Sequence, residues 1–159
     1  VQQLLEKNPN AADLCVLIAP VGPKGVSLIS FFKIIKTIPG EFIKGLVTGE
    51  FRTNNRQVVY RGMGIPDELF EQYYPYLREE KRRSVVRGFP FFGNIKHPIP
   101  ISTLVISGGC DMFVSKRDAD RISVFHNAEH LHFPNIGHGL LLTDEIAVKI
   151  KKWIENAIE

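Results

Sequence analysis

Apolar and polar positions along this chain fall into two regimes. Near the start and over the last third, short apolar runs alternate with segments of helical periodicity. Between them lies a long stretch of amphipathic pieces punctuated by Gly and Pro. "DLCVLIAP" (13–20) is an apolar run bounded by turn residues, which predicts a buried strand. "STLVISGG" (102–109) predicts a second. "AEHLHFP" (128–134) predicts a third, and it alternates polar with apolar.

Helical signals link these runs. "VQQLLEKNPN" reads as the middle and end of a helix stopped at Asn8-Pro9, with no N-cap of its own. Ser115 followed by Asp118 has the spacing of a capping box, so a helix starts just after Val114, and Asn127 is a suitable stop. Thr143 is placed to cap a last helix whose first turn holds Asp144 and Glu145, which suits the helix dipole. Ile146, Ile150, Trp153, Ile154 and Ala157 keep helical spacing along it. The predicted order is helix, strand, long insert, strand, helix, strand, helix, which is a parallel α/β layout with right-handed crossovers.

The insert, residues 21–100, differs in character and holds most of the Phe and Tyr residues. "SLISFFKIIKTI" and "PGEFIKGLV" read as short amphipathic helices. Pro66 suits the first position of a helix over "PDELFEQYY", Pro75 breaks it, and "YLREEKRRSVV" is expected to continue as another. "GFPFFGNIKHPIP" is a Gly/Pro-rich return to the sheet. The domain expectation is a core of residues 1–20 and 101–159 with a helical cap of 21–100. Such an insert would lie over the carboxyl edge of the strands, where α/β proteins bind ligands.

At 159 residues and 44% hydrophobic content, a packed core is expected. A net charge of +3 does not by itself suggest a nucleic-acid partner. No apolar run approaches the ~18 residues that would suggest a membrane span. Cys15 and Cys110 are the only cysteines, which is no disulfide framework and fits a cytoplasmic location.

Two loops carry the candidate chemistry. Asp111 follows the second predicted strand and His138, between Gly137 and Gly139, follows the third. Glycine flanks would leave His138 exposed and unobstructed. Parallel strands put their C-terminal ends on one edge, with neighbours ~4.8 Å apart, so the two side chains can meet there. An acid that orients an imidazole needs this arrangement.

Other readings bear on the same residues. Asp111 can serve simply as a turn-former, and His138 as a surface-loop histidine. His126, His130 and His132 in "HNAEHLH" suggest a metal site, with His130 and His132 on one strand face, but a solvated face is the preferred reading. "REEKRRSVVR" reads as a solvated helix face rather than a nucleic-acid patch, because Glu79 and Glu80 offset its basic residues. Cys110 reads as an inert neighbour of Asp111. "APVGPKG" lacks the spacing of a phosphate loop and reads as the start of the insert. Phe31, Phe32, Phe42, Phe89, Phe91 and Phe92 are expected mainly to pack the cap on the body, with some free to line a pocket for an acyl or alkyl group.

"TLVISGGCDMFVSKRDADRI … HLHFPNIGHGLLLTDEIAVKIKKWI" resembles the C-terminal third of an α/β-hydrolase fold enzyme. Gly108-x-x-Asp111-x-x-Val114 is similar to that family's acid loop and Gly137-His138-Gly139 to its histidine loop, in the family's order of acid then histidine. The insert corresponds to the family's cap, and "VQQLLEKNP" to the helix after the nucleophile elbow. The likeness extends over nearly the whole chain, closely over 102–159 and loosely in the cap.

The departure is that no G-x-S-x-G occurs, and none of the seven serines (Ser27, Ser30, Ser84, Ser102, Ser107, Ser115, Ser123) lies in an elbow. The resemblance places the elbow and the oxyanion-hole donors upstream of Val1. It implies hydrolysis of a small, apolar, ester-like substrate with Asp111 and His138 as acid and base and no metal or organic cofactor. This chain alone would then be inactive, with an open, aggregation-prone edge on its first strand. Dehalogenase or epoxide-hydrolase chemistry follows if the elbow carries Asp. A non-catalytic ligand- or protein-binding scaffold follows if it carries no nucleophile, and a subunit that completes its site with another chain is a further possibility.

Overall fold

The computed structural model describes residues 1–51, 64, 67–76, 80–81, 88–140 and 143–158. Three parallel strands, β1 (Leu14–Ile18), β4 (Ser102–Gly108) and β5 (Glu129–Phe133), form a sheet in the order β1-β4-β5. Leu17 stands opposite Val105, which in turn stands opposite His130, and Ser107 stands opposite His132. This is the parallel α/β layout that the apolar runs predict. β4 is buried on both faces because it is central, which explains its unbroken apolar run.

Six α-helices accompany the strands among the described residues: α1 (Gln2–Lys7), α2 (Leu28–Thr37), α3 (Pro39–Thr48), α4 (Asp67–Tyr73), α5 (Lys116–His126) and α6 (Asp144–Ile158). The core gathers Leu104, Val105 and Ile106 of β4 with Ile122 of α5, Ile146 of α6 and Leu140. Each such side chain contributes about 1.5–3 kcal/mol by leaving water. Ile150 and Trp153 of α6 pack against this core, while Ala157 in the last turn is exposed.

The termini of α5 are those the sequence signals. Ser115 Oγ accepts the Asp118 N–H at 3.2 Å, and Asn127 closes the helix in a left-handed conformation. Thr143 stands immediately before α6, and its hydroxyl donates to the Leu140 carbonyl at 3.0 Å. α1 is tied to the segment before β4: Glu6 Oε1 accepts the N–H groups of Lys96 and His97, which hold its carboxyl below the usual carboxylate range. Gln3 bonds to Asn94.

The insertion between β1 and β4 leaves and returns through a narrow neck. Val26 N–H donates to the Gly88 carbonyl at 2.8 Å, and Phe91 N–H to the Lys24 carbonyl at 2.8 Å. Gly25 has φ +90°, and a Cβ there would fall 1.9 Å from the Phe89 carbonyl oxygen, so only glycine fits. Phe31, Phe42 and Phe89 pack ring to ring at 5.2–5.7 Å, whereas Phe32, Phe91 and Phe92 are exposed.

Two expectations for the insertion change. α4 ends at Tyr73 and a 3₁₀ turn carries Pro75, as the proline requires. Beyond it, Glu80–Lys81 is a strand, β3, paired antiparallel with β2 (Glu50–Phe51), where a continuing helix was expected. Pairing with a distant segment has overridden local helix preference there. Pro66 and most of "REEKRRSVVR" lie outside the described residues.

Candidate active site

β4 ends at Gly108 and β5 at Phe133, side by side. The loops leaving them are laced together. Gly109 N–H donates to the Phe133 carbonyl at 2.8 Å and Cys110 N–H to the Ile136 carbonyl at 3.0 Å. The fit is close: a Cβ on Gly108 would lie 2.2 Å from the Ile136 carbonyl oxygen. Gly108 thus lets the two loops run in contact.

This lacing brings Asp111 and His138 together. Asp111 Oδ2 accepts from His138 Nδ1 at 2.8 Å. Asp111 Oδ1 accepts the N–H groups of Phe113 at 2.7 Å and Val114 at 3.0 Å. The carboxylate side chain is fully buried. A carboxylate can only accept, so Nδ1 must carry the proton and Nε2 keeps its lone pair in the neutral ring. His138 is less open than its glycine flanks suggest. Its side chain is 29% exposed, because the Phe113 ring packs edge-on against it at 4.9 Å. Gly64 of the insertion also reaches this place, where a Cβ would come within 3.0 Å of Gly137 Cα.

Sequence reasoning missed a polar node beside the acid loop. Asp118 Oδ2 accepts hydroxyls from Ser115 at 2.8 Å, from Ser30 at 2.5 Å and from Ser27 at 3.1 Å. Ser27 is the N-cap of α2 and Ser115 the N-cap of α5. One carboxylate thus sits at the N-termini of two helices, where their dipoles favour negative charge. The capping-box spacing showed the Ser115 side of this node. The Ser27 and Ser30 side lies far away in the chain and carried no signal.

The other histidines are not a solvated face. His126 is buried: its Nδ1 accepts the Ile99 N–H at 3.0 Å and its Nε2 meets Gln2 Oε1 at 3.0 Å. Burial pushes it below the usual histidine range. His130 Nε2 and His132 Nδ1 lie 2.8 and 2.9 Å from Ser107 Oγ, and His130 Nδ1 lies 2.9 Å from Asp120 Oδ1.

The Asp120 contact fixes the proton of His130 on Nδ1. Ser107 then donates to His130 Nε2 and accepts from His132 Nδ1. Burial lowers His130 as well, outweighing the upward pull of Asp120. Ser107, His130 and Asp120 have the connectivity of a nucleophile, base and acid. However, Ser107 is fully buried on the central strand, so no substrate carbonyl can reach it. Among the described residues no group of three or more His, Cys, Asp or Glu is placed to hold a metal ion.

Cys110 is an exposed free thiol beside the acid loop, and its Sγ lies 3.6 Å from the Pro134 carbonyl oxygen. No helix among the described residues is long and apolar enough to cross a membrane.

No protein-family profile matches the chain, and no curated protein does. Solved structures do match. A thermophilic esterase aligns with 98% of this chain at TM-score 0.59 and 16% identity. Rv0554 from Mycobacterium tuberculosis aligns with 98% of it at TM-score 0.62 and 16% identity. The chain spans 61% of the length of each of these two proteins. At that identity the likeness is one of fold. The chain has the fold of an α/β-hydrolase, with three parallel strands and flanking helices among the described residues.

Proposed function

We propose that this chain supplies the acid and the base of a carboxylic ester hydrolase, with the insertion 21–100 acting as its cap. The observation that carries the reading is the Asp111–His138 pair, held at 2.8 Å where the C-terminal ends of β4 and β5 meet. A serine supplied from outside this chain attacks the ester carbonyl. His138 Nε2 takes the serine proton and returns it to the leaving alcohol. Asp111 holds the ring in the required tautomer and stabilises the imidazolium that forms. A water then repeats the sequence on the acyl-enzyme. These residues need no metal or organic cofactor for such a step. The proposed substrate carries a small apolar acyl or alkyl group. The free thiols of Cys15 and Cys110 support a cytoplasmic location.

The test uses the intact protein that contains this chain, with short-chain p-nitrophenyl esters and a serine-reactive phosphonate probe. Turnover and labelling are expected in the parent, and turnover is expected to vanish in His138→Ala. Turnover that survives His138→Ala removes this histidine from the mechanism. An intact protein that neither turns over nor labels is a binding scaffold. Haloalkane or epoxide turnover without labelling moves the chemistry to an aspartate nucleophile.

A further inference from the structure

The segment carrying Asp111 is gripped at both ends by one helix of the insertion. At its start, Lys33 Nζ donates to the Asp111 carbonyl at 3.3 Å. At its end, Asp118, which also accepts the Ser115 hydroxyl, accepts the hydroxyls of Ser27 and Ser30. Ser27, Ser30 and Lys33 are spaced three apart, so they form one stripe along α2. Ser30 is buried against the body. Between the two grips lie the Phe113 and Val114 N–H groups that hold Asp111 Oδ1. The position of α2 therefore constrains the loop that aims Asp111 at His138.

We propose that Ser30 and Lys33 are positioning residues, through which docking of α2 on the body holds the Asp111–His138 pair in register. The proposal rests on the functional reading above only for its catalytic consequence, since the coupling itself is a matter of geometry. It makes the insertion part of the machinery that prepares the base, as well as a cover. Neither residue touches the reacting atoms.

The test reads the pair directly in the intact protein. A histidine Nδ1–H bonded to a carboxylate gives a separate low-field proton NMR signal, assigned here by its absence in His138→Ala. Ser30→Ala and Lys33→Met are expected to broaden or abolish that signal while the rest of the spectrum stays folded. Ser30→Thr and Lys33→Arg, which keep the donors, are expected to restore it. Lys36→Met removes the same charge from the same helix and is expected to leave the signal intact. If Ser30→Ala does not fold, Lys33→Met at its exposed position carries the test.

An unchanged signal in both Ser30→Ala and Lys33→Met overturns the proposal, as does equal loss in Lys36→Met. Ester turnover measured alongside is expected to fall about tenfold or more in kcat with KM within about twofold. Signal loss in a protein that turns over no ester keeps the coupling and sinks the hydrolase reading. Undisturbed signal and turnover in the variants keep the hydrolase reading and sink the coupling.

Discussion

Asp111 faces His138 with one carboxylate oxygen and its own loop with the other: Oδ2 takes the Nδ1 proton at 2.8 Å, while Oδ1 takes two backbone N–H groups. Asp111 thus holds both its own loop and the His138 ring, and two substitutions separate the loop contact from the role proposed for it as the acid. Asp111→Asn keeps an oxygen for the loop but offers an amide N–H₂ to His138, which forces the wrong tautomer. It is expected to fold and to lose about 10²–10⁴ in kcat in the intact protein. Asp111→Ala also strips the loop of its acceptor. It is expected to cost about 2–4 kcal/mol in urea denaturation, from the two N–H groups left unpaired. Equal stability of the two variants would separate Oδ1 from loop integrity.

Acid should weaken the fold through His126 and His130. Burial lowers both below the usual histidine range. The unfolded chain takes up their protons near pH ~6.5, while the folded chain does so only at lower pH. Their contribution is thus present above about pH 6.5 and is lost as the pH falls toward the folded-state values. Thermal unfolding midpoints are expected to drop between pH 7 and 5, less steeply in His126→Gln and His130→Gln. A flat profile for the parent over that range counts against both assignments.

Two residues of α5 should respond oppositely to truncation. Ile122 is fully within the core, and Ile122→Ala is expected to cost about 2–5 kcal/mol. Val124, two positions on, is 81% exposed, and Val124→Ala is expected to stay within about 0.5 kcal/mol. Denaturant titrations of the pair check the helix's orientation. Similar losses would mean that its buried face is misassigned.

The two cysteines should differ in reactivity. Cys110 is exposed, whereas Cys15 is buried in β1 and burial pushes its thiol up. A soluble thiol reagent at pH 8 is expected to modify Cys110 quickly and Cys15 only on unfolding. Prompt modification of both would show β1 open to solvent.

What the sequence made legible follows from how each feature is encoded. β1, β4, β5 and α5 announce themselves through local pattern: apolar runs, Ser115 before the helix and Asn127 after it. Asp111 and His138 follow from strand order, because parallel strands deliver their loops to one edge. The features that escaped depend on distant partners. Ser107 meets His130 and His132 only in the register that sets Ser107 against His132. The two-residue pair β2–β3 has no periodicity long enough to detect. The half-burial of His138 comes from the Phe113 ring, which its glycine neighbours do not reveal.

The neck at residues 23–26 and 88–95 has a consequence for how such a chain can change. Its hydrogen bonds join the two ends of the insertion beside the sheet. Once those ends are fixed, lengthening the intervening segment costs only about 0.6 kcal/mol per doubling in closure entropy. The sheet is thereby insulated from changes in length beyond the neck, while α2 and Gly64 still reach the two laced loops. The insertion can therefore change in length and sequence so long as the α2 stripe still meets the loop that carries Asp111.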